Sequence, residues 1–292
     1  MTFNQLHSYT ENTLDSININ PLIRNNQDTS KATFGLVGVI GGSDGMFGSL
    51  FLVGRAAMLT GSGKVVIGFN SDQYPIIDYH MPELIVSPAD KILKNTVNYD
   101  VIVIGPGLGT EEKSIKLLSE LIQLKPKCKL IFDADALNLI AVNREIAKEF
   151  YTLEDKVITP HQMEASRLLN IPVNTICGEN RINIALELQK KYNSIVLLKG
   201  LGSVIVDING TAYVNKTGSS ALSNAGQGDS LCGIIASFVA QGMDLFSAVR
   251  FAVYIHGRAS DDLVKAYGGY NGLIATDTTT NVRKVLNKIL YS

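Results

Sequence analysis

Cysteine is scarce in this chain: Cys128, Cys177 and Cys232 stand far apart, with no C-x-x-C spacing. A disulfide framework or a structural zinc site needs paired or clustered cysteines, so both drop out, and a reducing cytoplasm is the expected setting. An excess of one charge is lacking too. Lys and Arg total 26 against 27 for Asp and Glu, a formal net charge of −1. Such a balance provides no electrostatic footprint for a nucleic acid or a membrane surface, and neither is expected as a partner. Long apolar runs are also missing. The longest, around Leu231 to Ala240, falls well short of the ~18 residues that would suggest a membrane span. The opening "MTFNQLHSYTENTLDS" has neither a basic region nor an apolar run, so no signal peptide is expected.

What is present is a large apolar fraction, 46% of 292 residues against 18% charged, enough for a sizeable core in one large α/β domain or two smaller ones. Residues 1–30 are polar and Asn-rich and read as a helical arm or a loosely packed lead-in. From Phe34 short β-branched runs alternate with longer amphipathic segments. Strands are expected at 34–41, 64–69, 83–87, 100–105, 129–135, 156–160 and 194–200, with helices at 48–61, 111–124, 162–169 and 179–192. Runs apolar on both faces, separated by helices, predict a mostly parallel sheet covered on both sides. In "SVIVDINGTAYVN" (203–215) the rhythm changes, and Asn209-Gly210 predicts a type I′ hairpin toward the end of the sheet. Long helices follow at 229–241 and 244–266, the second with Asp244 as N-cap. With no repeat or linker after residue 33, a single α/β domain over 31–292 is the expectation.

In an open parallel sheet, ligands bind beyond the carboxyl ends of the strands. The unusual loops all fall there: "GGSDG", "GPGLGT", "DADALN", "TPHQME" and "KGLGS". "GGSDGMFGS" fits no Walker A register, and "GPGLGT" has Thr110 where a dinucleotide fingerprint needs its third glycine. One glycine turn is ordinarily structural; three at the strand ends of one sheet favour a ligand.

"AGQGD" (225–229) is more specific. Gly226 and Gly228 let consecutive amides point at one spot, and a helix starting near Ser230 adds its positive end, which makes an anion hole suited to a transferring phosphoryl group. Asp229 then has two readings. As N-cap it would stabilise the helix by about 1 kcal/mol; beside an anion hole it could take the proton of a hydroxyl attacking phosphorus. A cap alone would not need glycines on both sides of Gln227, so the catalytic reading leads. His161 and Glu164 fall three apart at the start of a helix, where His161 is either a ligand contact or a satisfied polar residue. No second histidine falls at zinc spacing, whereas Glu164 could face a water-held Mg²⁺. Asp133 and Asp135 are expected on the same side of a strand end, to hold a magnesium–phosphate or to cap the next helix. Lys199 either simply ends its strand or, with its glycine turn, touches nucleotide phosphate or ribose. His256, Asp261 and Asp262 read as solvated or packing residues.

Taken together, "IGGSDGMFG…RAAMLTGSGKV", "VIGPGLG", "FDADALN", "TPHQMEASRLL", "LLKGLGSVI", "NAGQGDSLCGIIAS" and "AVYIHGRASD" resemble the ADP-dependent NAD(P)H-hydrate dehydratase family. The resemblance runs from about Phe34 to the end and implies a ribokinase-like fold. It also implies repair of damaged nicotinamide cofactor: water is removed from NADH or NADPH hydrate at the expense of ADP, or ATP in some relatives, with Mg²⁺. By this resemblance Asp229 is the catalytic base. The hydrate meets Ser49, Gly107, Gly109, His161 and Asp229; the adenine nucleotide meets Lys199, Gly200, Leu201, Gly202, Ser203, Gly226, Gln227 and Gly228. A homotetramer is implied as well. Asp133 and Glu164, read from the residues alone, are the candidates to reach a metal through water. Three positions depart from the family pattern: Gly-Gln-Gly-Asp replaces Gly-Thr-Gly-Asp at 226–229, Gly48-Ser49 replaces Gly-Ala, and Ser30-Lys31-Ala32 replaces His-Lys-Gly. The rival readings are a vitamin-precursor alcohol kinase on the same fold and a nucleotide sensor without turnover.

Overall fold

The computed structural model describes residues 9–24 and 29–292. Ten strands form one sheet: β1 (Thr10–Glu11), β2 (Leu36–Gly41), β3 (Lys64–Phe69), β4 (Ile85–Pro88), β5 (Val101–Ile104), β6 (Lys129–Phe132), β7 (Lys156–Ile158), β8 (Ile195–Leu198), β9 (Val204–Val206) and β10 (Ala212–Val214). Ten α-helices surround it. The first five are α1 (Phe47–Leu59), α2 (Ala89–Leu93), α3 (Glu112–Leu124), α4 (Asp135–Val142) and α5 (Arg144–Tyr151). The others are α6 (Gln162–Leu169), α7 (Asn180–Tyr192), α8 (Gln227–Ala240), α9 (Leu245–Tyr267) and α10 (Ala275–Tyr291). The spatial order of strands is β1-β10-β9-β8-β7-β6-β5-β2-β3-β4. From β4 through β8 every pairing is parallel; β8–β9 and β9–β10 are antiparallel.

Strands such as β5, with all four residues buried, are apolar on both faces because both faces of the sheet are covered. One buried cluster joins α1, α8, α9 and α10 to one face, and a second joins α2 through α7 to the other. α3 shows how sequence sets this packing. Leu117, Leu118, Leu121 and Ile122 recur at helical spacing and are buried, while lysines and glutamates take the solvent side.

Two local expectations change. The β9–β10 hairpin is not type I′, because Gly210 has a φ of +86° whereas Asn209 does not lie in the positive region. Gly210 N donates to Asp207 O and Asp207 N to Thr211 O, a type I turn followed by a left-handed glycine bulge. The Asp207 carboxylate stabilises it by accepting the Asn209 and Thr211 amides. The lead-in is also not free where it is described. β1 pairs in parallel with β10, Ile17 and Leu22 are buried, and Asn12 donates to Asn215 Oδ1 and exchanges hydrogen bonds with Arg250. The rest of the expected arm, residues 1–8 and 25–28, lies outside the described residues.

The chain enters the parallel sheet at β2, builds β3 and β4 to one side, then crosses to β5 on the other. That reversal opens a crevice above the carboxyl ends of β2 and β5, where such sheets place their ligands.

Candidate active site

The loops after β2 and β5 are bound to each other across this crevice. Gly42 N and Ser43 N donate to Pro106 O and Gly107 O, at 3.0 and 2.6 Å. Gly107 has a φ of +57°, and a Cβ there would sit 2.7 Å from Met46 O, so only glycine permits this approach. α1 begins immediately afterwards, with Ser49 in its first turn. Gly109 N donates to Asp135 Oδ2 at 2.9 Å. Ser49, Gly107 and Gly109, named together from the sequence, share this corner.

α8 starts at Gln227, not near Ser230, so its N-cap lies before Asp229. Gly226 is its N-cap, with a φ of +83°, and no side chain caps the helix. A Cβ on Gly226 would run into Leu52 of α1. Asp229 is therefore the third helical residue rather than the cap, which removes the bland reading of that carboxylate. The first helical amide bond is Ser230 N to Gly226 O, so the amides of Gln227, Gly228 and Asp229 have no helical acceptors and form the expected anion-binding end. Burial, chiefly, and the Asp133 charge push the Asp229 carboxyl up to about 6; the Ser49 hydroxyl and the Lys199 ammonium oppose them. At neutral pH it is an ionised carboxylate with a strengthened appetite for a proton.

β6 ends at Phe132, and Ala134 takes a φ of +50°, so Asp133 and Asp135 leave regular strand alternation; they take different partners, yet both charges raise the Asp229 carboxyl. Asp133 is 2% exposed and holds Lys199 Nζ at 2.6 Å, while Thr159 Oγ and Cys232 Sγ donate to it at 2.8 and 3.3 Å. Within this pair the Asp133 carboxyl is held below its ordinary value, against its burial, by the Lys199 charge; Lys199 is raised by Asp133 against its own burial. A Cβ on Gly228 would lie 3.3 Å from Lys199 Nζ, so the ammonium stands at the open end of α8.

His161 turns out to cap α6. Its Nδ1 accepts the Met163 and Glu164 amides while Glu164 Oε2 accepts His161 N, a reciprocal capping box. An accepting Nδ1 is unprotonated, so Nε2 carries the hydrogen and donates to Glu164 Oε1 at 3.1 Å. Burial lowers the His161 value and pushes the Glu164 carboxyl up to about 7, the latter opposed by Lys199. Both ring nitrogens are committed, while the side chain remains half exposed.

A direct metal site does not fit these residues. Among the described residues no three His, Cys, Asp or Glu side chains cluster at metal-binding spacing. Asp133 Oδ1 is filled by Lys199 and Thr159, Oδ2 takes Cys232, and both Glu164 oxygens are engaged by His161.

Next to Lys199 a cavity is lined by Gly200, Leu201, Ser203, Gln227 and Gly228. Gly202 belongs to the same turn, and Gly226 to the same loop, without forming its wall. The opposite wall includes Thr217, Gly218 and His256. His256 is no solvated residue: it is buried, and its Nε2 lies 3.1 Å from Gln227 Oε1. Gln227 Nε2 donates to Thr278 Oγ at 3.1 Å, so the amide ties α8 to α9 and α10. Asp261 accepts the Gly218 amide, holding the cavity wall, whereas Asp262 pairs with Arg258. Sequence reasoning also passed over Arg181, which donates to the carbonyls of Leu198 and Lys199 and so props the turn from beneath. Its only signal was an arginine in the first turn of α7, too common a feature to stand out.

Comparison with known proteins bears on this arrangement. A family model described as NAD(P)H-hydrate dehydratase matches residues 37–282. The chain is 33% identical to the ADP-dependent (S)-NAD(P)H-hydrate dehydratase of Neisseria meningitidis, covering 91% of this chain and 90% of that protein. It is 37% identical to the bifunctional NAD(P)H-hydrate repair enzyme of Coxiella burnetii, covering 89% of this chain but only 52% of the relative. The chain thus spans about half the length of such two-function relatives. A crystal structure of the ADP/ATP-dependent NAD(P)H-hydrate dehydratase of Bacillus subtilis, co-crystallised with ATP and Mg²⁺, superposes with a TM-score of 0.83 at 28% identity, over 98% of this chain and 99% of that one. The ribokinase-like fold and the family model agree with the loop geometry, and the chain belongs to the NAD(P)H-hydrate dehydratase family.

Proposed function

We propose that this protein dehydrates (6S)-NADH or NADPH hydrate, converting ADP to AMP and phosphate, or ATP to ADP and phosphate. The observation that carries this reading is Asp229: it caps nothing, its proton affinity is raised to about 6, and it adjoins amides without helical acceptors. Hydroxide is a poor leaving group, so the hydrate's hydroxyl is first made into a phosphate ester. Asp229 takes the hydroxyl proton as that oxygen bonds to the terminal phosphorus, and the shortened nucleotide leaves with the electron pair of the broken P–O bond. The Gln227–Asp229 amides and Lys199 offset the charge on the moving group. The ring carbon–oxygen bond then breaks, phosphate leaves with its pair, and loss of a proton from the adjacent carbon forms the double bond.

The hydrated ring is assigned to the corner formed by Ser49, Gly107, Gly109 and His161. Because both imidazole nitrogens are engaged, His161 would meet the ring through its face. The nucleotide is assigned to the 199–203 turn with Gly226, Gln227 and Gly228. A Mg²⁺ bound with the nucleotide would offset phosphate charge and keep its own waters; Asp133 and Glu164, whose oxygens are engaged by Lys199, Thr159, Cys232 and His161, would reach it only through such waters. The protein is further proposed to be cytoplasmic and homotetrameric, in keeping with the family resemblance. No described helix is long and apolar enough to cross a membrane.

The test is to incubate the protein with NADH hydrate or NADPH hydrate, Mg²⁺ and each nucleotide in turn, and to follow the absorbance of reduced nicotinamide. Return of that absorbance with stoichiometric AMP or ADP is expected. Untouched hydrate alongside phosphorylation of a thiazole or pyrimidine alcohol would replace this reading with the kinase one. Tight nucleotide binding without turnover of any substrate would leave a sensor.

A further inference from the structure

We propose that the two carboxylates of "DADALN" are positioning residues that divide the site: Asp133 sets Lys199 at the nucleotide end, and Asp135 sets the Gly109 loop at the hydrate end. This rests on the proposed reaction for the names of the two ligands. The division itself rests on geometry. Ala134, at a φ of +50°, stands between them, and the two carboxylates hold different partners: Asp133 holds Lys199, whereas Asp135 accepts the Gly109 amide.

Lysine is a point charge on a flexible four-carbon stem, and nothing intrinsic to it selects one position. Asp133 supplies that selection. It is 2% exposed, lies 2.6 Å from Lys199 Nζ, and is itself fixed by Thr159 Oγ and Cys232 Sγ. The ammonium is thereby held 3.3 Å from where a Cβ on Gly228 would be, and Asp133 Oδ2 stands 3.8 Å from the same point. Removing either charge would leave its partner buried and unpaired. Asp135 belongs to a separate chain of contacts. Arg167 of α6 donates to Asn138 Oδ1 at 2.8 Å, Asn138 Nδ2 donates to Asp135 Oδ1 at 3.3 Å, and Asp135 Oδ2 accepts Gly109 N at 2.9 Å. Among the described residues no side-chain hydrogen bond joins the two carboxylate networks.

The experiment separates them by ligand. Asp133→Asn is expected to raise the KM for ADP, and its calorimetric Kd, by at least about tenfold, because a charge-assisted contact is lost. The KM for the hydrate should stay within about twofold, inside the scatter of a peripheral change. Asp135→Asn should do the reverse. Because Asp133 is argued to act through Lys199, Lys199→Met should abolish its effect: the double variant Asp133→Asn/Lys199→Met should bind ADP no worse than Lys199→Met alone. The double variant removes both charges together, so it keeps the cycle informative if a single variant folds poorly, and thermal melts of all four proteins certify folding. The proposal is overturned if each single variant raises both KM values alike, or if Asp133→Asn costs a further tenfold in the Lys199→Met background. ADP calorimetry reads the nucleotide half even in a protein without hydrate turnover, so failure of the reaction assignment and failure of this division give different results.

Discussion

Replacing Asp229 by asparagine should make the protein more stable while nearly abolishing its activity. The carboxyl is raised from an ordinary 3.8 to about 6, mainly by burial. Roughly two units at about 1.4 kcal/mol each disfavour the ionised native state by about 3 kcal/mol. The native value exceeds the unfolded one, so this penalty is absent below about pH 4, grows as pH rises toward 6, and is complete above it. Asparagine, similar in shape and uncharged, escapes the penalty but weakens the interaction with the Ser49 hydroxyl, a loss of about 1 kcal/mol. The net gain near neutral pH is about 2 kcal/mol, a rise in Tm of about 5 °C for a chain of this size. Loss of a general base should lower kcat by about 10²- to 10⁴-fold, with ADP still bound. Thermal unfolding of both proteins at neutral pH and near pH 4, together with the absorbance assay, reads all of this. A variant that is less stable at neutral pH, or that turns over at a near-normal rate, would refute the assignment of Asp229 as a strained base.

Other expectations follow from the same geometry. The acid limb of the wild-type kcat/KM profile, which reads the free enzyme, should have its midpoint near pH 6, because activity needs ionised Asp229; Ser49→Ala removes a group that lowers this value, so its limb should move to higher pH. Gln227→Ala leaves the buried His256 Nε2 and Thr278 hydroxyl without their partner and should cost about 1–3 kcal/mol in denaturant unfolding. Chelating Mg²⁺ should stop turnover without lowering the Tm of the nucleotide-free protein, since among the described residues no cluster of side chains is placed to hold an ion that binding would couple to folding; a drop in Tm would reveal a structural metal.

The parallel sheet was legible because fully buried strands read as continuous apolar runs, and six helices matched their patterns to within two residues at each end. Helices α2, α4, α5 and α10 escaped notice. α4 follows its strand through one residue at positive φ, and nothing in alanine announces that conformation. That turn also takes Asp133 and Asp135 out of the strand alternation expected of them. The hairpin was misread for a related reason: Asn-Gly favours two consecutive positive-φ residues, but the Asp207 carboxylate stabilises a different turn by gathering the Asn209 and Thr211 amides. Local propensity lost in both places to contacts no short window contains.

Gln227 illustrates the same limit at the site itself. From sequence, an amide in place of a hydroxyl in an anion-binding loop looks like a change made toward the nucleotide. The side chain instead reaches back to His256 and Thr278, while only the backbone amide is left at the open helix end. The amides that meet a phosphate are supplied by helix geometry and by glycine at 226, and both are indifferent to what side chain position 227 carries, provided it can be buried. A longer polar side chain therefore need not be read as loss of function: here it is accommodated by partners on two other helices, and the anion-binding end of α8 keeps its form.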